Sequence, residues 1–415
     1  MSQSDPTTAA GRHHAPRTVS EPHGIQAHIV GCGTTPVGKL GARPSTLMRR
    51  ALERALGQAG LPLRQLDGLV AIPSLAEPHF MEAHFLATQM GLLPRKDVIV
   101  RTIDTGGAGP ITGLLEATRL VHQGWCDVVA VVAGDAVSSL SREEFLRRAD
   151  QTCRDPEGEL PSPVIPHGYD RVAQWQMRTY GTTREQLALC SVLMSRMAAR
   201  HPDALTRKPH TLESVLASAQ VAPVTSTLEC ARRADGGAAI VVASDRFLSQ
   251  IGHTRPSVIV VGGGEASGPL YPPPVIDEDM FSCEEACATA YAEARLNVGD
   301  IDFFGLYDCF PICLVRAVEA VGLAAKGEGG RWIEQMAERT RSDDWNPADV
   351  PVNTHGGLLA YGAPWEVPAM YNVIEAFAQL TGQAGSRQIP DARRALVYGN
   401  GGIFSASAVA ILQRA

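Results

Sequence analysis

Residues 104–135 read DTGGAGPITGLLEATRLVHQGWCDVVAVVAGD, and the order of small, helical and apolar runs in that stretch decides the fold class. The small residues 106–109 open a helix that the apolar spacing carries to about Gln123. An unbroken apolar strand over 127–135 follows and stops at Gly134-Asp135. A strand apolar at every position is one covered on both faces. Toward the N-terminus, AHIVGCG (27–33), LDGLVAI (66–72) and VIVRT (98–102) predict further strands. A helix capped by Ser45 lies between the first two, with Leu47, Ala51, Leu52, Ala55 and Leu56 on one face. Strands alternating with helices predict an α/β layered fold.

Toward the C-terminus, residues 138–225 break this rhythm with polar stretches and Pro161, Pro163 and Pro166. They carry helical patterns at 171–180 and at 184–200, the latter capped by Thr183. Long excursions of this kind cover active sites. DGGAAIVVAS (235–244) resumes the rhythm, and SVIVVGGG (257–264) starts a second series. Helices are predicted at 281–296, 311–322 and 366–380, and strands at 301–307, 394–399 and 405–413. The two series read as distant copies in architecture, with no residue-level repeat visible. The expected organisation is a disordered tail over 1–24, an N-terminal half over 25–250 and a C-terminal half over 251–415.

Composition excludes several classes. The formal net charge of the 415 residues is −7, which gives no electrostatic footprint for nucleic acid or an anionic membrane. No apolar run reaches the roughly 18 residues of a membrane span. Nine scattered cysteines are too few for a disulfide scaffold and fit a reducing, cytoplasmic compartment. The first 24 residues lack the apolar core of a secretory signal, and His13 and His14 within them are expected to be solvated. Cys283-x3-Cys287 and Cys309-x3-Cys313 have the spacing of helical neighbours rather than of a zinc site, so no metal is expected.

Four turns are rich in glycine: DTGGAG (104–109), DGG (235–237), HGG (355–357) and YGNGG (398–402). Such turns let backbone approach backbone or ligand. Neither G-x-G-x-x-G nor G-x-x-x-x-G-K-[ST] is present, which sets aside nucleotide-dependent redox and phosphoryl transfer.

Read in order, these segments resemble a known family. TGGAGPITGLLEATRLVHQGWCDVVAVVAGD, YGTTREQLA (180–188), TLECARRADGGAAIVVAS (227–244), LYDCFPICLVRAVEAVGLAAKGEGG (306–330), VNTHGGLLAYGAPWEVPAM (352–370) and YGNGGIFSASAVAIL (398–412) together resemble the thiolase superfamily. Within it the chain is similar to the thiolase domain of sterol carrier protein X and to bacterial lipid-transfer thiolase-like proteins. The resemblance implies a five-layered αβαβα sandwich of two similar halves with an inserted loop domain. It also implies an acyl-CoA substrate, no resident cofactor, and a homodimeric core.

Three reactive groups of that family are missing. The nucleophilic cysteine falls on Gly107, or on Gly106 with a one-residue slip, the Gly-His-Pro histidine on Ala363, and the second cysteine on Gly399 or Asn400. Covalent thiolysis by the family mechanism is therefore not expected. Tyr307, Tyr361 and His355 remain as ionisable groups on the implied pocket turns. Gly107, Asp308, Asn353, Gly402 and Trp365 are expected to complete the pocket. Asp308 is expected to orient its turn, Trp365 to fill the space of the lost imidazole or shape the acyl site, and Arg232 and Arg233 to meet CoA phosphates. The 326–330 loop (Lys-Gly-Glu-Gly-Gly) is read as a mobile lid or a solvated turn.

A neutral phenol donates readily to an alkoxide or enolate oxygen. Tyrosines without a nucleophile suit retro-aldol cleavage of a β-hydroxyacyl-CoA, and the resemblance implies aldolases of this kind that shorten steroid side chains beside a partner with an OB-fold and a zinc ribbon. Two other readings stand beside it: a non-catalytic pseudo-thiolase subunit that binds acyl-CoA or lipid, and an acyltransferase using another nucleophile.

Overall fold

Among the described residues eleven strands are formed: β1 (Ala27–Thr34), β2 (Gly68–Ala71), β3 (Ile99–Thr102), β4 (Val128–Ala136), β5 (Gln220–Ala222), β6 (Thr225–Ser226), β7 (Asp235–Ser244), β8 (Val258–Ser267), β9 (Phe303–Gly305), β10 (Arg394–Gly401) and β11 (Ala406–Arg414). The computed structural model describes residues 24–154, 160–342 and 344–415. The tail expected at 1–24 therefore lies, but for Gly24, outside the described residues. Nine strands join in the order β3-β2-β4-β7-β1-β8-β11-β10-β9, and β5 pairs with β6.

The two halves repeat one pairing scheme. β1 is antiparallel to β7, β7 to β4, and β4 is parallel to β2. In the second half β8 is antiparallel to β11, β11 to β10, and β10 is parallel to β9. Even the outermost strand β3 has a vestige, since Val352 bridges Phe304 in parallel where β3 flanks β2. Only two residue pairs, His28 with Ile259 and Ile29 with Val258, join the halves edge to edge.

Helices Gly109–His122 and Pro368–Leu380 each contact strands of both halves and each other. Helix Pro44–Ala59 covers the far side of β1, β4 and β7, and helix Cys283–Ala294 covers β8 and β11. The result is helix, sheet, helix, sheet, helix. Every residue of β4 and β7 is buried, as their unbroken apolar sequence requires.

A residue-level repeat does exist, contrary to the reading of the sequence alone. A Cβ on Gly31 or Gly33 of β1 would overlap the carbonyls of Ala55 and Ala51 in the covering helix. A Cβ on Gly262 or Gly264 of β8 would overlap those of Ala290 and Ala286. Glycines two apart on the strand meet alanines four apart on the helix, and backbone touches backbone in both halves.

Local chemistry explains the element ends. Thr183 caps helix Arg184–Ala198 in a capping box with Gln186. Ser45 does not cap the first helix: Pro44 occupies its first turn and Arg43 precedes it without a side-chain cap. The excursion between β4 and β7 contributes helices Arg142–Thr152, Val164–Tyr180, Arg184–Ala198 and Leu212–Leu216. The 326–330 loop is held rather than free. Lys326 pairs with Glu278 at 3.2 Å, the Gly329 N–H donates to Glu319 at 2.9 Å, and Gly327 packs on the Tyr180 ring. Glu278 and Glu319, with Glu284, also surround the fully buried Arg316.

Candidate active site

Glycine turns from the two halves meet over a cavity. Gly106 has φ +58 and Gly402 φ +59, the left-handed region in which a side chain is strained. A Cβ on Gly106 would stand 3.0 Å from Gly401 Cα and from Gly402 N, and one on Gly401 would overlap the Thr105 carbonyl. The turns 104–109 and 398–402 thus touch without side chains between them. Both border a cavity of about 940 Å³, with helix Arg142–Thr152 and the segments around Tyr169, Arg233, Tyr307 and Trp365 as further walls.

Tyr307 enters this cavity two residues beyond β9. The predicted strand 301–307 ends early because Asn353 takes both backbone polar groups of Leu306. Its Oδ1 accepts the Leu306 N–H at 2.7 Å, and its Nδ2 donates to the carbonyl at 2.8 Å. Released from the ladder, the Tyr307 side chain reaches the Gly107 turn. A Cβ on Gly107 would overlap the Tyr307 hydroxyl and stand 2.5 Å from the Asn400 carbonyl. The phenol therefore occupies the space of a residue-107 side chain. Burial, reinforced by Cys309, Cys313, Glu366 and Asp308, pushes its pKa well above the usual 10, so at neutral pH it is a hydrogen-bond donor.

The other expected residues divide into two groups. Gly107, Gly402 and Trp365 border the cavity. Trp365 does so from a left-handed conformation (φ +49), its indole edge-on to Phe145 at 5.8 Å. Asp308, Asn353, His355 and Tyr361 are not among the bordering residues. Asp308 is buried and accepts the Leu358 N–H at 2.7 Å. Burial pushes its carboxyl up to about 7, against the pull of the Leu358 and Leu359 N–H groups. The chain then makes a wide helical turn over Gly357–Tyr361 and reverses at Gly362, φ +130. His355 and Tyr361, before and at the end of that turn, lie off the cavity wall. Tyr361 packs edge-on against His201 at 4.9 Å, Tyr371 at 5.0 Å and His355 at 5.4 Å. Burial lowers His355 to about 4, leaving a neutral imidazole. Arg233 borders the cavity with its guanidinium 4.7 Å over the Phe145 ring, whereas Arg232 is exposed elsewhere and donates to the Leu205 carbonyl at 3.4 Å.

Tyr169, Cys309 and Glu366 border the cavity without having been expected there. Tyr169 stacks on Phe310 at 4.8 Å, donates to the Gly402 carbonyl and accepts from Asn400 Nδ2 at 2.8 Å. Cys309 lies 3.5 Å from Cys313, sulfur to sulfur. Glu366 lines the wall beside Trp365 with its Oε2 buried and unpartnered. A carboxylate in the otherwise apolar run PWEVPAM was the available clue. Among the described residues no cluster of three His, Cys, Asp or Glu could hold a metal ion, and no helix is long and apolar enough to cross a membrane.

Residues 277–414 match the thiolase C-terminal domain-like family. The chain is 32% identical over 365 residues to an acetyl-CoA acetyltransferase of Methanothermobacter thermautotrophicus, covering 87% of this chain and 92% of that one. It is 27% identical over 304 residues to sterol carrier protein 2 of Bos taurus, covering 70% of this chain and 54% of that longer one. Among solved structures, an Ltp2-ChsH2(DUF35) aldolase superposes with a TM-score of 0.78 at 24% identity, over 94% of this chain and 98% of that one.

Proposed function

We propose, for a chain that belongs to the thiolase superfamily and to its sterol-carrier and lipid-transfer thiolase-like group, a carbon–carbon lyase that works without an acyl-enzyme. The coarse activity, that of an enzyme acting on acyl-CoA, follows from the relatives. The finer reading is retro-aldol cleavage of a bulky, steroid-like β-hydroxyacyl-CoA. One observation carries it: the Tyr307 phenol stands where a nucleophile on residue 107 would have to be.

The chemistry follows from that exchange. The substrate hydroxyl loses its proton, the Cα–Cβ bond breaks, and its electron pair moves into the thioester carbonyl. A ketone leaves, and the thioester enolate remains. A buried neutral phenol is suited to stabilise that oxyanion and to return a proton. No resident cofactor is needed, since CoA arrives as part of the substrate. By analogy with the aldolase neighbour, whose name includes a DUF35 subunit, we propose a partner with an OB-fold and a zinc ribbon, a homodimeric core and a cytoplasmic setting.

The test uses purified protein, alone and with such a partner, and a β-hydroxyacyl-CoA bearing a tertiary hydroxyl. Ketone and shortened acyl-CoA are expected by mass spectrometry. Tyr307→Phe is expected to lower turnover by about 10²-fold or more while calorimetry shows thioester binding retained. Unchanged turnover in that variant would remove Tyr307 from the chemistry.

The non-catalytic reading is favoured by Ala363, which borders the cavity where the imidazole is lost; tight thioester binding without product would support it. An acyltransferase would need one of the cavity thiols. Burial pushes Cys153 upward and Cys230 to about 12, against thiolate formation. An acyl adduct in the intact mass would be its evidence.

A further inference from the structure

Most ionisable groups on the cavity wall already have work within the fold. Arg148 donates to Glu144 and to the Leu75 and Ala76 carbonyls. Asp150 accepts the Val164 N–H at 2.9 Å. Tyr169 is held between Gly402 and Asn400, and Arg233 lies over Phe145. Asp104 is exposed to water. Glu366 differs from all of these. It is half-buried and faces the cavity, yet its Oε2 is buried without a hydrogen-bond partner. An orphan carboxyl oxygen costs free energy that a ligand donor would recover. The preceding Trp365 holds the left-handed φ of +49 that is strained for a bulky residue, and both residues of this dipeptide border the cavity. Glu366 is also near enough to Tyr307 and Cys153 for its charge to act on both.

We infer that Glu366 engages the β-hydroxyl of the substrate and accepts its proton, an inference that rests on the lyase reading above. The step balances within the cavity. The hydroxyl proton passes to the Glu366 carboxylate as Cβ–O becomes a carbonyl and the Cα–Cβ pair enters the thioester. Tyr307 gives its proton to Cα, and the Glu366 carboxyl returns one to the resulting phenolate. The step takes Glu366 as its carboxylate and Tyr307 as its neutral phenol, base and acid respectively.

The surroundings set the pH response. Burial, then Asp104 and Asp135, push Glu366 well above the carboxylate range, while a hydrogen bond from Trp365 pulls the other way. Arg148 and Arg233 border the same cavity. Turnover is therefore expected to fall on acidification at a pH above that of an ordinary carboxylate.

The experiment compares wild type, Glu366→Gln and Glu366→Asp by turnover, by pH profile, and by the affinity for a β-hydroxyacyl-CoA against its deoxy counterpart. Expected for Glu366→Gln is a loss of about 10²-fold or more in turnover, disappearance of the acidic limb, and retained binding of the deoxy thioester, which shows the fold intact. Glu366→Asp is expected to keep the limb at reduced rate. If wild type cleaves and Glu366→Gln cleaves equally with the same limb, the inference falls and the lyase reading stands. If wild type does not cleave, the lyase reading falls, and the affinity ratio decides. A preference for the hydroxylated ligand that Glu366→Gln abolishes upholds the contact, and no preference overturns it.

Discussion

Asp308 and His355 titrate in opposite senses over the same pH range. Burial raises Asp308 to about 7 from 3.8. The folded state then holds a proton that the unfolded chain releases, so its contribution is full below about pH 4 and is lost as pH rises toward 7. His355 is lowered to about 4 from 6.5. Its contribution is present above pH 6.5 and is lost as pH falls toward 4. At 1.36 kcal/mol per unit the two effects are roughly 4 and roughly 3 kcal/mol, and they largely cancel in the wild type. Asp308→Asn is expected to unmask the histidine, making stability fall more steeply with acid. His355→Gln is expected to do the reverse. Urea unfolding across about pH 4 to 7 reads both slopes, and parallel slopes in all three proteins would refute the opposition. At this scale the sequence was legible where a motif fixed the position, as for Gly107 and Tyr307. It misled where proximity in sequence stood in for direction. His355 and Tyr361 precede the position of the lost histidine in sequence, yet neither borders the cavity. Glu366 needed the backbone reversal at Trp365 to be known before its carboxyl could be aimed.

Between strand and helix, the glycine–alanine contacts set how closely each outer helix can lie. Adding one methyl at Gly33 or Gly264 forces the helix off the sheet, and overpacking of this kind costs about 1–3 kcal/mol. Gly33→Ala and Gly264→Ala are expected to lose similar amounts, because the same joint is strained in each half. Gly57 is the control. It lies on the exposed face of helix Pro44–Ala59 with nothing within 4 Å of an added Cβ, so Gly57→Ala is expected to gain up to about 1 kcal/mol. Denaturant midpoints compare the three, and an equal response would show that the contacts are loose. The elements themselves were legible, β4 and β7 most clearly, because full burial leaves an unbroken apolar run. The shared joint was not. Its two halves are a strand dipeptide step and a helix four-residue step, and neither means anything until the touching surfaces are known.

For the molecule as a whole, the proposed homodimer has a natural seam at β3. The Ile99 and Ile103 N–H groups point inward to Asp67 and Ala71, so by alternation the Val100 N–H points to the free edge. A proline there spares the ladder to β2. Val100→Pro is expected to leave the fold intact and shift the dimer to monomer by light scattering; a dimer that persists would place the seam elsewhere. The layered architecture was readable from strand–helix alternation, whereas the cavity was not, since it exists only where the two halves meet. That meeting has a historical consequence. Gly107 comes from one half, Tyr307 and Asn400 from the other, and a cysteine restored at 107 would collide with the phenol and crowd the Asn400 carbonyl. A lineage moving between acyl-enzyme chemistry and this site cannot take the steps in either order. Toward the cysteine, residue 307 must shrink first; away from it, residue 107 must empty before the tyrosine can arrive. A sequence with small residues at both 107 and 307 is the step that avoids the collision with the phenol in either direction.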